Sequence, residues 1–163
     1  MGLVVIIMGS RSDMEHANKV ASALAVLGVK SELRVGSAHK SPEHVIALVR
    51  EYEARDEPKV YLTIAGRSNA LSGLVDAMVS SPVIACPVYS DHFGGADIFS
   101  SLRMPSGVAP ALVLDPGSAA LLCAKVLALG DPEVRARIAV AQRANTERIV
   151  SDDKAVRAES QHR

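Results

Sequence analysis

Short runs of consecutive apolar residues alternate along the chain with longer stretches in which apolar residues recur at helical spacing. The first run, Leu3–Met8, is too short for a helix and too apolar for a half-exposed strand, so it predicts a parallel strand covered on both faces. A helical pattern follows up to Gly28, and Ser12 and Glu15 have the spacing of a capping box at its start. The chain is therefore expected to begin with a strand–helix unit.

The same alternation continues through the rest of the chain. We expect further strands near residues 30–35, 60–65, 83–88 and 111–114, and further helices near residues 71–80 and 94–103. Ser41, Asp115 and Asp131 each precede a proline, a pair typical of an N-cap and a first helical residue, so they predict the starts of three more helices. This order predicts an α/β fold: a single-domain, three-layer αβα arrangement with a flavodoxin-like or Rossmann-like parallel sheet.

Length and composition predict one oligomeric domain. The 163 residues suggest a domain at residues 1–150, followed by a polar tail at residues 151–163 that frays or lies on a neighbouring subunit. Lys and Arg number 18, as do Asp and Glu, and aromatic residues make up 3%, so general nucleic-acid binding is not expected. Because 48% of the residues are hydrophobic, a domain of this size has more apolar surface than it can bury alone. We therefore expect a homo-oligomer.

Apolar runs and cysteines indicate where the protein resides. No apolar stretch approaches the roughly 20 residues that span a bilayer, and the first run is followed by a charged segment rather than by a signal-peptide cleavage site. Cys86 and Cys123 have apolar neighbours and no ligand-like spacing, which indicates buried thiols rather than a disulfide. These features favour a cytoplasmic protein with no membrane insertion.

The loop after the first predicted strand carries groups that suit a phosphate. In a doubly wound sheet, ligands bind beyond the carboxyl ends of the strands, where the strand order reverses. Residues 9–13 bring together the hydroxyls of Ser10 and Ser12, free backbone N–H groups and a helix N-terminus. Ordinary helix capping by Ser12 or Asp13 is an equal alternative. Because neither glycine-rich nucleotide motif is present, a single phosphomonoester fits better than a dinucleotide or a triphosphate.

The loop after the second predicted strand, residues 36–42, places His39 beside Lys40. A nearby cation favours the neutral imidazole, which can accept a proton, so His39 is a candidate proton carrier. The alternative is a His and a Lys on a solvated loop, but only this histidine lies between two other polar loops. The remaining histidines are expected at the surface: His16, His44, His92 and His162.

Two later segments extend the candidate site. Residues 65–70 are small or amide residues around Arg67, and their backbone N–H groups can closely approach a carboxylate or carbon dioxide, although a simple turn has the same composition. Residues 100–107 add hydroxyls and Arg103 and are candidates for closing over the site. There is no metal-ligand motif and no G-x-S-x-G motif, so neither a metal nor a serine hydrolase is expected. From the residues alone, we predict an α/β domain that binds a small phosphorylated anion, with His39 as proton carrier.

Four segments of the chain resemble, in order and spacing, the PurE family of purine biosynthesis. They are residues 9–13 (GSRSD), 37–40 (SAHK), 65–69 (AGRSN) and 101–107 (SLRMPSG), and the resemblance covers about residues 3–150. The family has a mutase branch and a carboxylase branch, called class II. Lys40 stands where the mutase branch usually has arginine, and residues 68–73 read SNALSG where that branch carries Ala-His-Leu-Pro-Gly. The chain therefore resembles the class II branch.

This resemblance implies a reaction. It is the reversible carboxylation of 5-aminoimidazole ribonucleotide (AIR) at C4 by carbon dioxide to give 4-carboxy-AIR (CAIR), a carbon–carbon lyase reaction without ATP, biotin or another cofactor. His39 would take the proton from C4 after the carbon–carbon bond forms, and would return it in decarboxylation. The resemblance also implies a tetramer or an octamer.

The binding residues implied by the resemblance fall in the three loops. The first two loops would supply Ser10, Ser12 and Lys40 for the phosphate, Asp13 for the ribose hydroxyls, and Ser37 for the pocket wall. In the third loop, the segment Ser68, Asn69 and Ala70 would bind the carboxylate or carbon dioxide through backbone donors, with Ala70 where some relatives have glycine. The sequence does not decide whether Arg67 or Arg103 contacts the ligand or a neighbouring subunit.

Two alternatives remain open at the level of sequence. The first is the mutase reaction, which moves a carboxyl group from N5 to C4 of the same ribonucleotide in the same site. The second is a non-catalytic module of flavodoxin type that binds a flavin or another phosphorylated ligand. The low aromatic content disfavours a flavin, because few rings are present to stack on it.

Overall fold

A five-stranded parallel sheet forms the centre of the computed structural model, with strand order β2-β1-β3-β4-β5. The structure describes residues 2–160, and within this range the side chain of His92 is not described. The strands are β1 (Leu3–Met8), β2 (Lys30–Val35), β3 (Lys59–Ile64), β4 (Val83–Ala85) and β5 (Ala111–Leu112). The helices are α1 (Met14–Val26), α2 (Pro42–Glu53), α3 (Ala70–Asp76), α4 (Phe99–Leu102), α5 (Pro116–Leu127) and α6 (Pro132–Ser160). The predicted α/β fold is confirmed, and of the two expected arrangements, flavodoxin-like and Rossmann-like, the strand order is the flavodoxin-like one.

Side chains of β1 alternate between two hydrophobic cores, one on each face of the sheet. Val4, Ile6 and Met8 pack with apolar residues of α1, α5 and α6, whereas the intervening β1 residues pack with α2 and α3. All six residues of this strand are buried. Burial on both faces explains why β1 is a continuous apolar run rather than an alternating one.

The three strands nearest the site end in register. Met8, the last residue of β1, is paired with Val35 of β2 and with Ile64 of β3. The backbone pairing continues one residue further, because Gly36 N–H donates to the Met8 carbonyl at 2.9 Å and Gly9 N–H donates to the Ile64 carbonyl at 2.8 Å. The loops that follow β1, β2 and β3 therefore leave the sheet at the same edge. The strand order reverses there, because β2 and β3 lie on opposite sides of β1.

The start of the first helix differs from the prediction. A capping box forms between Ser10 and Asp13 around a 3-10 turn at Arg11–Asp13, and not between Ser12 and Glu15. Glu15 instead forms an exposed ion pair with Lys19, with 2.8 Å between Oε1 and Nζ. The 3-10 turn comes before α1 and moves the cap two residues toward the N-terminus, so the Ser12–Glu15 prediction was wrong.

Predicted elements after β3 are shorter or more irregular than expected. β4 and β5 cover only part of the predicted runs. The helix predicted at 94–103 is a 3-10 segment, His92–Ile98, that leads into the single turn of α4. Three consecutive residues of this segment, Phe93, Gly94 and Gly95, have left-handed φ angles of 57°, 62° and 77°, which a continuous helix does not allow.

The two C-terminal helices begin as predicted. Asp115 Oδ2 accepts a hydrogen bond from Ser118 N–H at 2.7 Å, and Asp131 Oδ1 accepts from Val134 N–H at 3.2 Å. Helix α6 continues without a break to Ser160, and residues 142–160 are exposed. Secondary structure therefore shows no boundary at residue 150, and the end of the predicted tail, residues 161–163, lies outside the described residues.

Two further observations concern the cysteines and the helices of the described chain. Cys86 and Cys123 are both free and buried, as predicted. Between residues 2 and 160, no helix combines the length and the apolar character needed to cross a membrane.

Candidate active site

A cleft of about 630 Å³ lies at the sheet edge where β1, β2 and β3 end. All three predicted loops line it, with Gly9, Ser10, Ser12 and Asp13 from the first, Ser37, Ala38, His39 and Lys40 from the second, and Ala65, Gly66, Arg67 and Ser68 from the third. The aligned strand ends explain this convergence, because each loop starts from the same level of the sheet. The fold thus assembles one cleft from segments that are far apart in sequence.

The first loop is held in shape by its own polar groups. Ser12 Oγ donates to Ser10 Oγ at 3.0 Å, and Ser12 N–H donates to the same oxygen at 3.3 Å. Asp13 Oδ2 accepts from Ser10 N–H at 3.1 Å, which fixes the carboxylate beside the two hydroxyls. Two adjacent hydroxyls and an oriented carboxylate suit the phosphate and the hydroxyl groups of a sugar phosphate, respectively.

The second loop is a closed turn that carries His39 and Lys40 at its exposed end. Ser41 N–H donates to the Ser37 carbonyl at 2.8 Å, and Ser37 N–H donates to Ser41 Oγ at 3.1 Å. Gly36 at the start of the turn has no room for a side chain, since a Cβ there would lie 2.9 Å from Val45 Cγ2 of α2. In the described part of the chain, the imidazole of His39 has no hydrogen-bond partner, so both ring nitrogens are available to a ligand.

Asn69 of the third loop is buried and points away from the cleft. Its Nδ2 donates to Ser101 Oγ at 2.9 Å, and its Oδ1 accepts from Ser72 N–H at 3.1 Å as the N-cap of α3. The backbone N–H of Asn69 donates to Ser100 Oγ at 2.9 Å, and that of Ala70 donates to the Ser68 carbonyl at 3.1 Å. Of the three predicted residues in this loop, the structure brings Ser68 to the cleft and does not bring Asn69 or Ala70 there.

Arg67 is exposed and has a left-handed backbone, with φ of 60°. It lines the cleft and also a smaller, mostly apolar cavity of about 130 Å³ that shares the wall from Ala65 to Arg67. This second cavity extends to Tyr89 and Leu114. Arg103 lines neither cavity, so the structure separates two arginines that the sequence left equivalent.

His16 and Cys86 form a contact that the sequence analysis missed. His16 is half-buried rather than at the surface, and its Nε2 lies 3.3 Å from Sγ of Cys86, the residue that follows β4. Burial lowers the pKa of His16, and burial followed by the charge of Asp115 raises the pKa of Cys86 to about 12. Cys86 is therefore a protonated thiol at neutral pH. The sequence separation of 70 between the two partners explains why sequence spacing gave no signal.

Potential metal ligands are dispersed in the described structure. Across residues 2–160, no group of three or more His, Cys, Asp or Glu side chains is arranged to hold a metal ion. The polar groups of the cleft are instead hydroxyls, one carboxylate, an imidazole and two cations.

These features define an α/β protein with a ligand cleft at the switch point of a flavodoxin-like sheet. A family profile described as AIR carboxylase matches residues 3–148. The chain belongs to this family, which confirms the resemblance drawn from its motifs.

Curated relatives and a solved structure are similar over almost the whole chain. A phosphoribosylaminoimidazole carboxylase from Treponema denticola is 56% identical over 151 residues, covering 93% of this chain and 95% of the relative. A phosphoribosylaminoimidazole carboxylase from Archaeoglobus fulgidus is 54% identical and covers 94% and 84%, respectively. The crystal structure of Treponema denticola PurE matches with a TM-score of 0.93 and 55% identity, covering 94% of this chain and 98% of that one.

Proposed function

We propose that this protein carboxylates AIR at C4 with carbon dioxide to give CAIR, as the names of its relatives indicate for those proteins. The observation that carries the proposal is the position of His39, which lies unpaired in the cleft on the loop after β2. That loop is next to the loop after β1, whose hydroxyls suit a phosphate, and the loop after β3 lies on the other side of β1. A proton carrier at this position can reach the ring of a ribonucleotide whose phosphate is bound by the first loop.

The binding roles follow the chemistry of the cleft. Ser10, Ser12 and Lys40 bind the phosphate, because the two hydroxyls can donate hydrogen bonds to its oxygens and the ammonium offsets its charge. Asp13 accepts hydrogen bonds from the ribose hydroxyls, since its carboxylate is already oriented by Ser10. The wall of the pocket includes Ser37.

In the third loop, Ser68 contacts the ligand, whereas Asn69 and Ala70 hold the loop in shape. Ser68 lines the cleft and offers its hydroxyl and backbone to carbon dioxide or the carboxylate. Asn69 and Ala70 keep Ser68 in place, because the Asn69 N–H donates to Ser100 Oγ and the Ala70 N–H donates to the Ser68 carbonyl.

The reaction needs a base and no external energy source. The exocyclic amine of AIR donates electron density into the ring, so C4 attacks the carbon of carbon dioxide with a ring π-electron pair. A carbon–carbon bond forms, one C=O π pair moves onto oxygen to give the carboxylate, and C4 becomes tetrahedral. His39 then accepts the C4 proton, whose C–H electron pair restores the aromatic ring. In reverse, the imidazolium returns the proton to C4 and carbon dioxide leaves.

An ultraviolet assay of the purified protein tests this function. We expect CAIR to form from AIR and bicarbonate without ATP, at a rate that depends on dissolved carbon dioxide. Formation of CAIR only from N5-carboxy-AIR under depletion of carbon dioxide would instead identify a mutase. No product from either substrate, together with a tightly bound flavin, would identify a binding module.

We further propose a cytoplasmic homo-oligomer, either a tetramer or an octamer, that does not bind nucleic acid. Large apolar side chains exposed on the isolated chain support association, including Phe93 at 80%, Phe99 at 57% and Leu102 at 57% exposure. The balanced formal charge gives no broad field to attract a polyanion. Sedimentation of the purified protein measures the subunit number.

A further inference from the structure

We propose that Arg67 binds the carboxylate at C4 of the carboxylated product, so that it distinguishes CAIR from AIR; this inference rests on the function proposed above. CAIR differs from AIR by one added negative group. A site that stabilises the product relative to the substrate therefore needs a cation at the C4 end of the ligand, in addition to the one at the phosphate.

The cleft has a cation in each of two loops. Within the described residues, the fixed positive charges that line it are Lys40, after β2, and Arg67, after β3. Strand β1 lies between β2 and β3, so the two cations lie on opposite sides of the loop that carries Ser10 and Ser12. With Lys40 assigned to the phosphate, Arg67 is the cation on the other side of the cleft.

The guanidinium of Arg67 is unpaired within the described residues of the isolated chain. Among residues 2–160, it forms no ion pair and no side-chain hydrogen bond. Arg34 and Arg55, by contrast, bond to Glu51 and Glu32 and stack on a tyrosine ring. An unpaired arginine in a cleft has all its donors available to a ligand.

The backbone at Arg67 is held in place by its neighbours. Its φ of 60° is a conformation that glycine adopts more easily than arginine. Ser100 Oγ lies 3.4 Å from the Arg67 carbonyl and accepts a hydrogen bond from Asn69 N–H at 2.9 Å. The loop is thus fixed to α4 by contacts that do not involve the arginine side chain. The side chain is therefore free to serve the ligand.

Guanidinium is well suited to this task. Its planar fork donates two parallel N–H bonds to a carboxylate, which an ammonium cannot do. As C4 attacks carbon dioxide, negative charge grows on the two oxygens that the fork would hold, so Arg67 also stabilises the charge that develops during carboxylation.

Binding measured without turnover tests the proposal. His39→Asn is used as the background so that bound CAIR is not decarboxylated, and dissociation constants for AIR and CAIR are measured by calorimetry with and without Arg67→Gln. We expect Arg67→Gln to raise the dissociation constant for CAIR by about tenfold or more and that for AIR by less than about twofold. An equal change in the dissociation constants for both ligands, or an unchanged dissociation constant for CAIR, would overturn the proposal.

Further variants separate a binding role from a structural one. Glycine adopts the left-handed backbone of position 67 without strain, so we expect Arg67→Gly to have an unchanged or higher Tm. Its affinity for CAIR should fall as much as that of Arg67→Gln. A lower Tm with equal loss of both ligands would make Arg67 structural and reject the proposal. Arg103→Gln, which changes an arginine outside the cleft, should leave both constants unchanged. If neither AIR nor CAIR binds with Arg67 intact, the proposed function itself fails and this inference falls with it, an outcome distinct from selective failure on CAIR.

Discussion

Asn69 and Ser101 are joined by a buried hydrogen bond, with 2.9 Å between Asn69 Nδ2 and Ser101 Oγ. Both residues are less than 5% exposed, at 4% each. The bond connects the third loop of the cleft to α4, and the same asparagine caps α3 through Ser72 N–H. A single side chain therefore holds together three segments behind the site.

Replacing this asparagine should destabilise the fold. Asn69→Ala leaves Ser72 N–H without its cap and Ser101 Oγ without its donor, and we expect a loss of about 2 kcal/mol or more in the free energy of unfolding. Ser101→Ala removes one of these bonds and keeps the cap, so its loss should be about half as large. Urea denaturation measures both, and equal stability of Asn69→Ala and the native protein would contradict the network.

Removal of the proposed proton carrier should separate binding from chemistry. His39→Asn keeps a small polar side chain but cannot accept the C4 proton, so we expect turnover to be abolished while the dissociation constant for AIR changes little. His44→Asn is the control, because His44 is exposed and contacts the Val35 carbonyl rather than the cleft. Retained turnover with loss of AIR binding would assign His39 to binding instead.

Lys40 should act on substrate binding. We expect Lys40→Ala to raise KM for AIR by about tenfold and to leave kcat close to its native value, because the phosphate is held equally in substrate and transition state. Lys30→Ala is a matched control at the opposite end of β2 and outside the cleft. Steady-state kinetics decide the point, since an unchanged KM would remove Lys40 from the phosphate site.

Alkaline pH should weaken the fold through its two thiols. Burial raises the pKa of both Cys86 and Cys123 from 9.0 to about 12. The folded protein holds these protons more tightly than the unfolded chain, so the stabilisation is complete below about pH 9 and is lost as pH rises toward 12. Each thiol should contribute a slope of about 1.4 kcal/mol per pH unit in that window.

Denaturation with urea from about pH 8 to about pH 11 measures this slope. The double variant Cys86→Ala/Cys123→Ala isolates the thiols from other titrating groups, and it should show a shallower decline than the native protein. Parallel curves for the two proteins would show that the thiols do not titrate differently on unfolding.

The positions of the strands and the meeting of the three loops were predictable from sequence because both follow from local patterns, whereas the choice between a flavodoxin-like and a Rossmann-like strand order was left open. Continuous apolar runs such as Leu3–Met8 mark buried parallel strands, and polar residues directly after them mark the carboxyl edge. Proline after Asp115 and Asp131 gave the starts of α5 and α6 for the same local reason.

Other features depend on contacts between distant residues. Asn69 precedes Ser72 at the spacing of a helix N-cap, a signal that was present and overlooked, but its partner Ser101 is 32 residues away. The left-handed backbone of Phe93 has no sequence signal, because only its glycine neighbours favour that conformation. The half-buried position of His16 likewise depends on Cys86 across the fold.

Because Met8, Val35 and Ile64 end their strands at the same level, the geometry of the cleft depends on the length of each strand. Deleting one residue from β1 would draw the following serines back by about 3.3 Å relative to the imidazole on the adjacent loop. The same deletion would also turn every side chain beyond it to the opposite face of the sheet. Loop sequences can therefore be exchanged in protein engineering as long as the strand lengths are kept, because each strand length fixes the position at which its loop enters the cleft.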